Sequence, residues 1–252
     1  MRIIQLLVFI FALNGAAFAQ WVKLAVPGTP RTPDGKPNLS APAPRASDGK
    51  PDLSGIWRVG PGGFLFDIAA TVGEVPFQPW AAALYKERAA ALGKGRPSEY
   101  CIPHGVPDGM LVRNSPFKFV QTSDVVVILY EEFNHFRQIF TDARGFPPEM
   151  TESWFGYSIG KWEGDALVVE TAGFNDKSWF DDPGHPHSDA LRVTERFRRR
   201  DFGHMEMQIT FDDAKAYTKP WTVTIPFELL PDTELIESIC ENERDSEHIS
   251  GK

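Results

Sequence analysis

Cysteine is nearly absent: Cys101 and Cys240 are the only two in 252 residues, and neither belongs to a C-x-x-C redox pair. Bases are also scarce, 26 against 34 acids for a formal charge of −8, so nucleic acid is not an expected partner. Beyond the first residues no apolar run approaches the ~20 residues that a membrane-crossing helix needs. Phosphate loops and dinucleotide fingerprints are missing too.

What the chain does have begins with a leader. Arg2, the apolar stretch 3–13 and Ala17-Phe18-Ala19 supply the charged, apolar and small-x-small regions of a cleavable signal peptide, so residues 1–19 are expected to be removed after Ala19. Gln20 stands where a lipoprotein would carry cysteine. The expected location is the periplasm or the exterior, and loss of Arg2 makes the mature charge one unit more negative. An oxidising compartment makes a Cys101–Cys240 disulfide the default, with two separate thiols as the alternative. Such a bond stabilises by ~2–4 kcal/mol in the chain-entropy account.

Residues 20–52 are rich in proline, glycine and small polar side chains. They hold a short duplication: Asp34-Gly35-Lys36-Pro37-Asn38-Leu39-Ser40 returns as Asp48-Gly49-Lys50-Pro51-Asp52-Leu53-Ser54. So little apolar surface accompanies the copies that an extended linker is expected, not a structural repeat. One domain should cover 53–243, followed by a charged tail over 244–252. A helix is expected over 79–92: Pro79 suits its first turn, Gly93 its stop, and Trp80, Leu84 and Ala91 share a face.

From residue 117 the apolar period falls to two, as in Met205, Met207, Ile209 and Phe211. About ten strands follow, at 55–59, 117–122, 125–130, 135–141, 154–162, 166–172, 191–200, 204–211, 221–229 and 234–240. Gly164-Asp165, Phe202-Gly203 and Pro231-Asp232 read as turns between neighbours. The expected fold is all-β, an antiparallel meander closed into a lipocalin-like barrel, because closure removes the exposed edges of long two-faced strands. The arginine-rich stretch 191–200 is also compatible with a helix.

The pleat puts Glu195 on the face of Leu191, Val193 and Phe197, and puts His135 and Arg137 in line with Phe133 and Ile139. Glu237 likewise falls between Leu235 and Ile239. Charges among apolar neighbours need partners, so these four form a candidate interior cluster. It could be an Arg–Glu pair that fixes strand register, or a ligand site with Glu195 as acid or base. The loop over 179–188 feeds the same strand. There His185 and His187, beside Asp181 and Asp182, are ligand types for a divalent metal, although Pro186 makes the segment first a rigid turn. His187 is a second candidate base and Trp179 a candidate ligand contact. Trp154, Trp162 and Trp221 could fill the core or meet a sugar or aromatic ring. His104 either caps the same opening or belongs to a tight loop beside Cys101, whereas His204 and His248 read as surface residues. Ser158 sits in a formal G-x-S-x-G, but the hairpin sequence after it denies the strand-to-helix elbow that the motif requires.

Gly55-Ile56-Trp57 resembles the G-x-W opening of lipocalin-like barrels, which implies architecture and not activity. The combination of 51–57, 101–105, 162–171, 173–175 and 216–221 resembles a family of exported bacterial proteins of unassigned function. That resemblance implies a single recurring domain over nearly all of the mature chain and supplies no catalytic residue. Three readings of function follow. The first is a barrel that binds a small organic molecule through His135, Arg137 and Glu195. The second is an acid/base or metal-assisted isomerase, lyase or hydrolase acting on a carbohydrate or aromatic compound. The third is a non-catalytic interaction module of the envelope.

Overall fold

A computed structural model describes residues 24–60, 66–113 and 115–240. The leader 1–19, the tail 244–252 and His248 lie outside the described residues. Nine strands form a closed barrel in chain order: β1 (Gly55–Val59), β2 (Phe117–Gln121), β3 (Val125–Tyr130), β4 (Phe136–Phe140), β5 (Tyr157–Glu163), β6 (Ala166–Ala172), β7 (Arg192–Arg199), β8 (His204–Asp212) and β9 (Trp221–Leu229). β9 returns to β1, with Trp57 opposite Leu229 and Val59 opposite Phe227.

Alternation drives closure. Along β7, β8 and β9 every second side chain is buried, so the helical alternative for 191–200 does not hold. The inward residues fill the interior. Phe117 meets Phe227 edge-on at 5.1 Å and Phe119 meets Phe197 at 5.4 Å, beside a fully buried Trp57. Aromatic rings interlocked in this way make a packed core.

Two features of the strands differ from what alternation predicts. Residues 234–240 form no strand, because β9 already pairs with β1 and leaves no free edge; the segment runs along the surface with Glu237 exposed. The β4–β5 pair is parallel, because the connection 141–156 carries the chain back to the end where β4 began. Only Ile139–Ser158 and Phe140–Ile159 are paired there, the shortest join in the barrel.

The helix α1 (Pro79–Ala90) lies across one end of the barrel. Its inward side is Ala81, Tyr85 and Arg88, while Trp80 is exposed with its indole N–H on the Lys215 carbonyl. The stripe Trp80–Leu84–Ala91 is therefore not the packing face. Tyr85 stacks on Phe77, and Arg88 lies over the Trp179 ring at 4.2 Å.

The opposite end is covered by residues 24–52, where a linker was expected. Both copies of the duplication fold alike. Thr32 N–H donates to the Lys36 carbonyl, Gly35 to Thr32 and Asn38 to Pro30; fourteen residues later Ala46 donates to Lys50, Gly49 to Ala46 and Asp52 to Pro44. Arg31 and Arg45 each donate to the glycine carbonyl of their own turn. The repeating unit thus includes the Pro-Arg that precedes the copied string. Gly203 lets the first turn dock: a Cβ there would lie 2.5 Å from Leu39 Cβ, and the Gly203 N–H donates to the Leu39 carbonyl at 2.7 Å.

Candidate functional site

Arg137 and Glu195 meet inside the barrel with side-chain exposures of 1% and 0%. Arg137 Nη1 donates to Glu195 Oε1 at 2.9 Å and Nη2 to Oε2 at 2.5 Å; Nη2 also reaches Thr171 Oγ1 at 2.8 Å and Nε reaches Ser158 Oγ at 3.1 Å. One guanidinium on β4 therefore spans β5, β6 and β7 behind the short parallel join. Burial opposes its charge, but Glu195 more than compensates and raises the Arg137 pKa further. The pair is bidentate and leaves Glu195 without exposed surface. Ser158 lies in a strand, not an elbow. Tyr130 sits alongside, its hydroxyl buried and its pKa raised by that burial.

Glu237 does not join this cluster, whereas His135 lines one cleft together with Arg137 and Ser158. His135 is half-buried at the start of β4 and meets Phe155 edge-on at 6.2 Å.

A second group of charges gathers where β6 and β8 end and β7 and β9 begin. Asp181 is its knot: Oδ1 accepts the Gly184 and His185 N–H groups at 3.0 Å, and Oδ2 accepts the Ile68 N–H at 2.9 Å and lies 2.7 Å from His185 Nδ1. Asp67, Asp181 and His185 bring ligand atoms within 4.8 Å of one another, a buried group that could coordinate a divalent metal. The His185 ring packs against both Tyr85 at 4.2 Å and Phe77 at 5.6 Å. Burial, then Asp67 and Asp181, raise the Tyr85 pKa.

His187 does not share this site. Its Nδ1 faces the Ser188 carbonyl at 3.0 Å and its Nε2 the Ser178 hydroxyl at 2.7 Å, and burial lowers its pKa. Gly105, at φ +83°, packs so closely that a Cβ there would lie 2.7 Å from Ser178 Oγ. The Ser178–His187 pair is thus sealed, and His187 is no open base. Trp179 is likewise buried beneath Arg88 and not presented to a ligand.

His104 lies between two acids, with Nδ1 at 2.6 Å from Asp108 and Nε2 at 3.3 Å from Glu132. Burial works against its charge, but Asp108 and Glu132 outweigh it and push the pKa up to about 10. The Cys101–Cys240 disulfide forms beside it and joins segments 139 residues apart.

The third feature is a cleft of about 450 Å³ on the outer wall, where β4 and β5 separate beyond their short join. Phe136, Phe140, Trp154, Phe155 and Tyr157 line it, with His135 at its polar side. Phe136 is 60% exposed, whereas phenylalanine is a mostly buried residue type.

The pleat found Arg137 and Glu195, and the motif in the loop found His185. Asp67, Asp108, Glu132 and Ser178 were missed. Asp108 and Ser178 pair with a histidine four and nine residues away, without a motif that marks them, and Glu132 and Asp67 meet theirs only through the tertiary fold. Among the described residues no helix is long and apolar enough to cross a membrane. No protein-family model matches the chain, and comparison with curated proteins finds no match.

Proposed function

We propose that the protein binds a small organic molecule in the cleft beside the β4–β5 join, with location in the periplasm or outside the cell. The carrying observation is the cleft itself: about 450 Å³ with five aromatic residues and one histidine. Binding sites commonly combine apolar walls with a few polar groups in this way. Trp154 and Tyr157 suit the face of an aromatic or sugar ring, and His135 and Asn134 can hydrogen-bond its substituents. The ligand therefore sits on the wall and not among the rings that fill the interior.

A second reading, metal-assisted chemistry, rests on Asp67, Asp181 and His185. With Nδ1 turned to Asp181, His185 would offer Nε2 as ligand or base, its ring oriented by the carboxylate. Native mass spectrometry of the purified protein addresses both readings. A bound organic compound supports the cleft, and a stoichiometric metal supports the second reading. The neutral fluorescent probe N-phenyl-1-naphthylamine then locates the binding. Phe136→Ala should weaken it roughly tenfold, as for loss of an aromatic anchor. Unchanged probe affinity would remove the cleft from consideration.

A further inference from the structure

The turn-covered end holds a cleft of different character. It has a volume of about 510 Å³ and is lined by Arg45, Arg198, Arg199 and Arg200, with Asp165 as the sole acid. Prolines 42, 44 and 51 of the second turn close its side. Four arginines around one space are unexpected in a chain with a formal charge of −8.

Local acids neutralise them only in part: Arg45 meets Asp165 and Arg200 meets Glu206. Arg198 is exposed and has no ion-pair partner among the described residues. Glu206 is its register neighbour, yet that carboxylate lies 3.9 Å from Arg200, a loose contact. Arg199 is buried and donates only to carbonyls, those of Asp52, Ser54, Asp201 and Phe202. Burial pushes its pKa down to about 10, with Asp52 and Asp201 opposing, so it stays charged at neutral pH. Asp201 itself pairs with His204.

The duplication supplies an internal control. In the first turn Arg31 is locked to Asp232 by two bonds of 2.9 and 2.6 Å. In the second, the equivalent Arg45 has one bond to Asp165 at 3.0 Å, and both side chains are more than half exposed. The same local fold thus yields one arginine committed to the barrel and one left accessible.

We propose that this cleft binds a compact oxyanion carrying two or more charges, of the diphosphate or tricarboxylate type, held by Arg45 and Arg198. Planar guanidinium groups match the oxygen pairs of such groups. Size and charge exclude a long polyanion, which the negative remainder of the surface would repel. The site is separate from the aromatic cleft on the β4–β5 wall and shares no lining residue with it.

Calorimetric titration of the intact protein with pyrophosphate and with citrate tests it, at low ionic strength and again at about 0.2 M salt, where exposed charges are screened. At least one anion should bind. Arg198→Gln and Arg45→Gln should each weaken binding about tenfold, the loss of one charge-assisted contact, while Arg31→Gln should leave it unchanged. Circular dichroism would verify that the variants fold. Failure of both anions to bind, or equal losses in all three variants, would overturn the proposal.

Discussion

The two ends of the barrel are closed by opposite means. At the turn end, residues 24–52 bond to their own backbone within a few residues, dock by backbone bonds at Phe202 and Gly203, and carry their charged contacts on partly exposed arginines. At the loop end, Asp181, His185 and His187 are buried, and Asp181 and His104 bond to residues distant in sequence. The difference is one of dielectric. A charge open to water loses little when its partner is removed, whereas a buried one has no solvent to replace it. Function that needs accessible charge belongs at the first end, and tightly determined geometry at the second.

The largest test of that contrast lies inside the barrel toward the loop end. Arg137→Ala or Glu195→Ala alone should cost about 3–5 kcal/mol, since each leaves the other charge buried without its partner. Replacement of both by apolar residues of similar volume should recover much of the loss. Urea denaturation reads this directly. Single variants as stable as wild type would mean that water reaches the pair and that the enclosed end is no different in kind.

A smaller effect has a definite sign. His104 is raised above its usual pKa of about 6.5, so its contribution is complete below that pH and is lost as pH rises toward about 10. The stability of wild type relative to His104→Gln should therefore shrink across that interval. A constant difference would show that Asp108 and Glu132 do not hold the proton on the ring.

Much of the barrel was legible because a pleated strand needs no distant information to announce its two faces. Leu191, Val193, Glu195 and Phe197 share a parity, and that parity alone carries Glu195 inward. The same signal misled at 234–240. Leu235, Glu237 and Ile239 alternate correctly, but alternation cannot reveal that β1 has already taken the last edge. The parallel β4–β5 pair was hidden for a related reason, since direction depends on where 141–156 leads and not on either strand. In the duplication the copied string was visible, yet Thr32-Pro33 and Ala46-Ser47 differ and separate it from the Pro-Arg that completes each turn. Asp67 had no local signal at all; His185 gives it meaning only across the fold.

The smallest expected effect is at the turn end, where it discriminates most. Arg31 and Arg45 occupy equivalent positions in equivalent turns, so their substitution by glutamine compares two contacts with the local fold held constant. Arg31→Gln removes a two-bond pair to Asp232, a residue that also holds the Val26 N–H. A slight fall in the thermal midpoint should follow. Arg45→Gln removes a single contact between two solvated side chains and should leave the midpoint unmoved, as exposed pairs commonly do. The Arg31→Gln difference should fade in high salt. If Arg45→Gln destabilises as much as Arg31→Gln, then Arg45 is committed to Asp165 and is not available to an anion. An unmoved midpoint leaves its charge free to face the arginine-lined cleft.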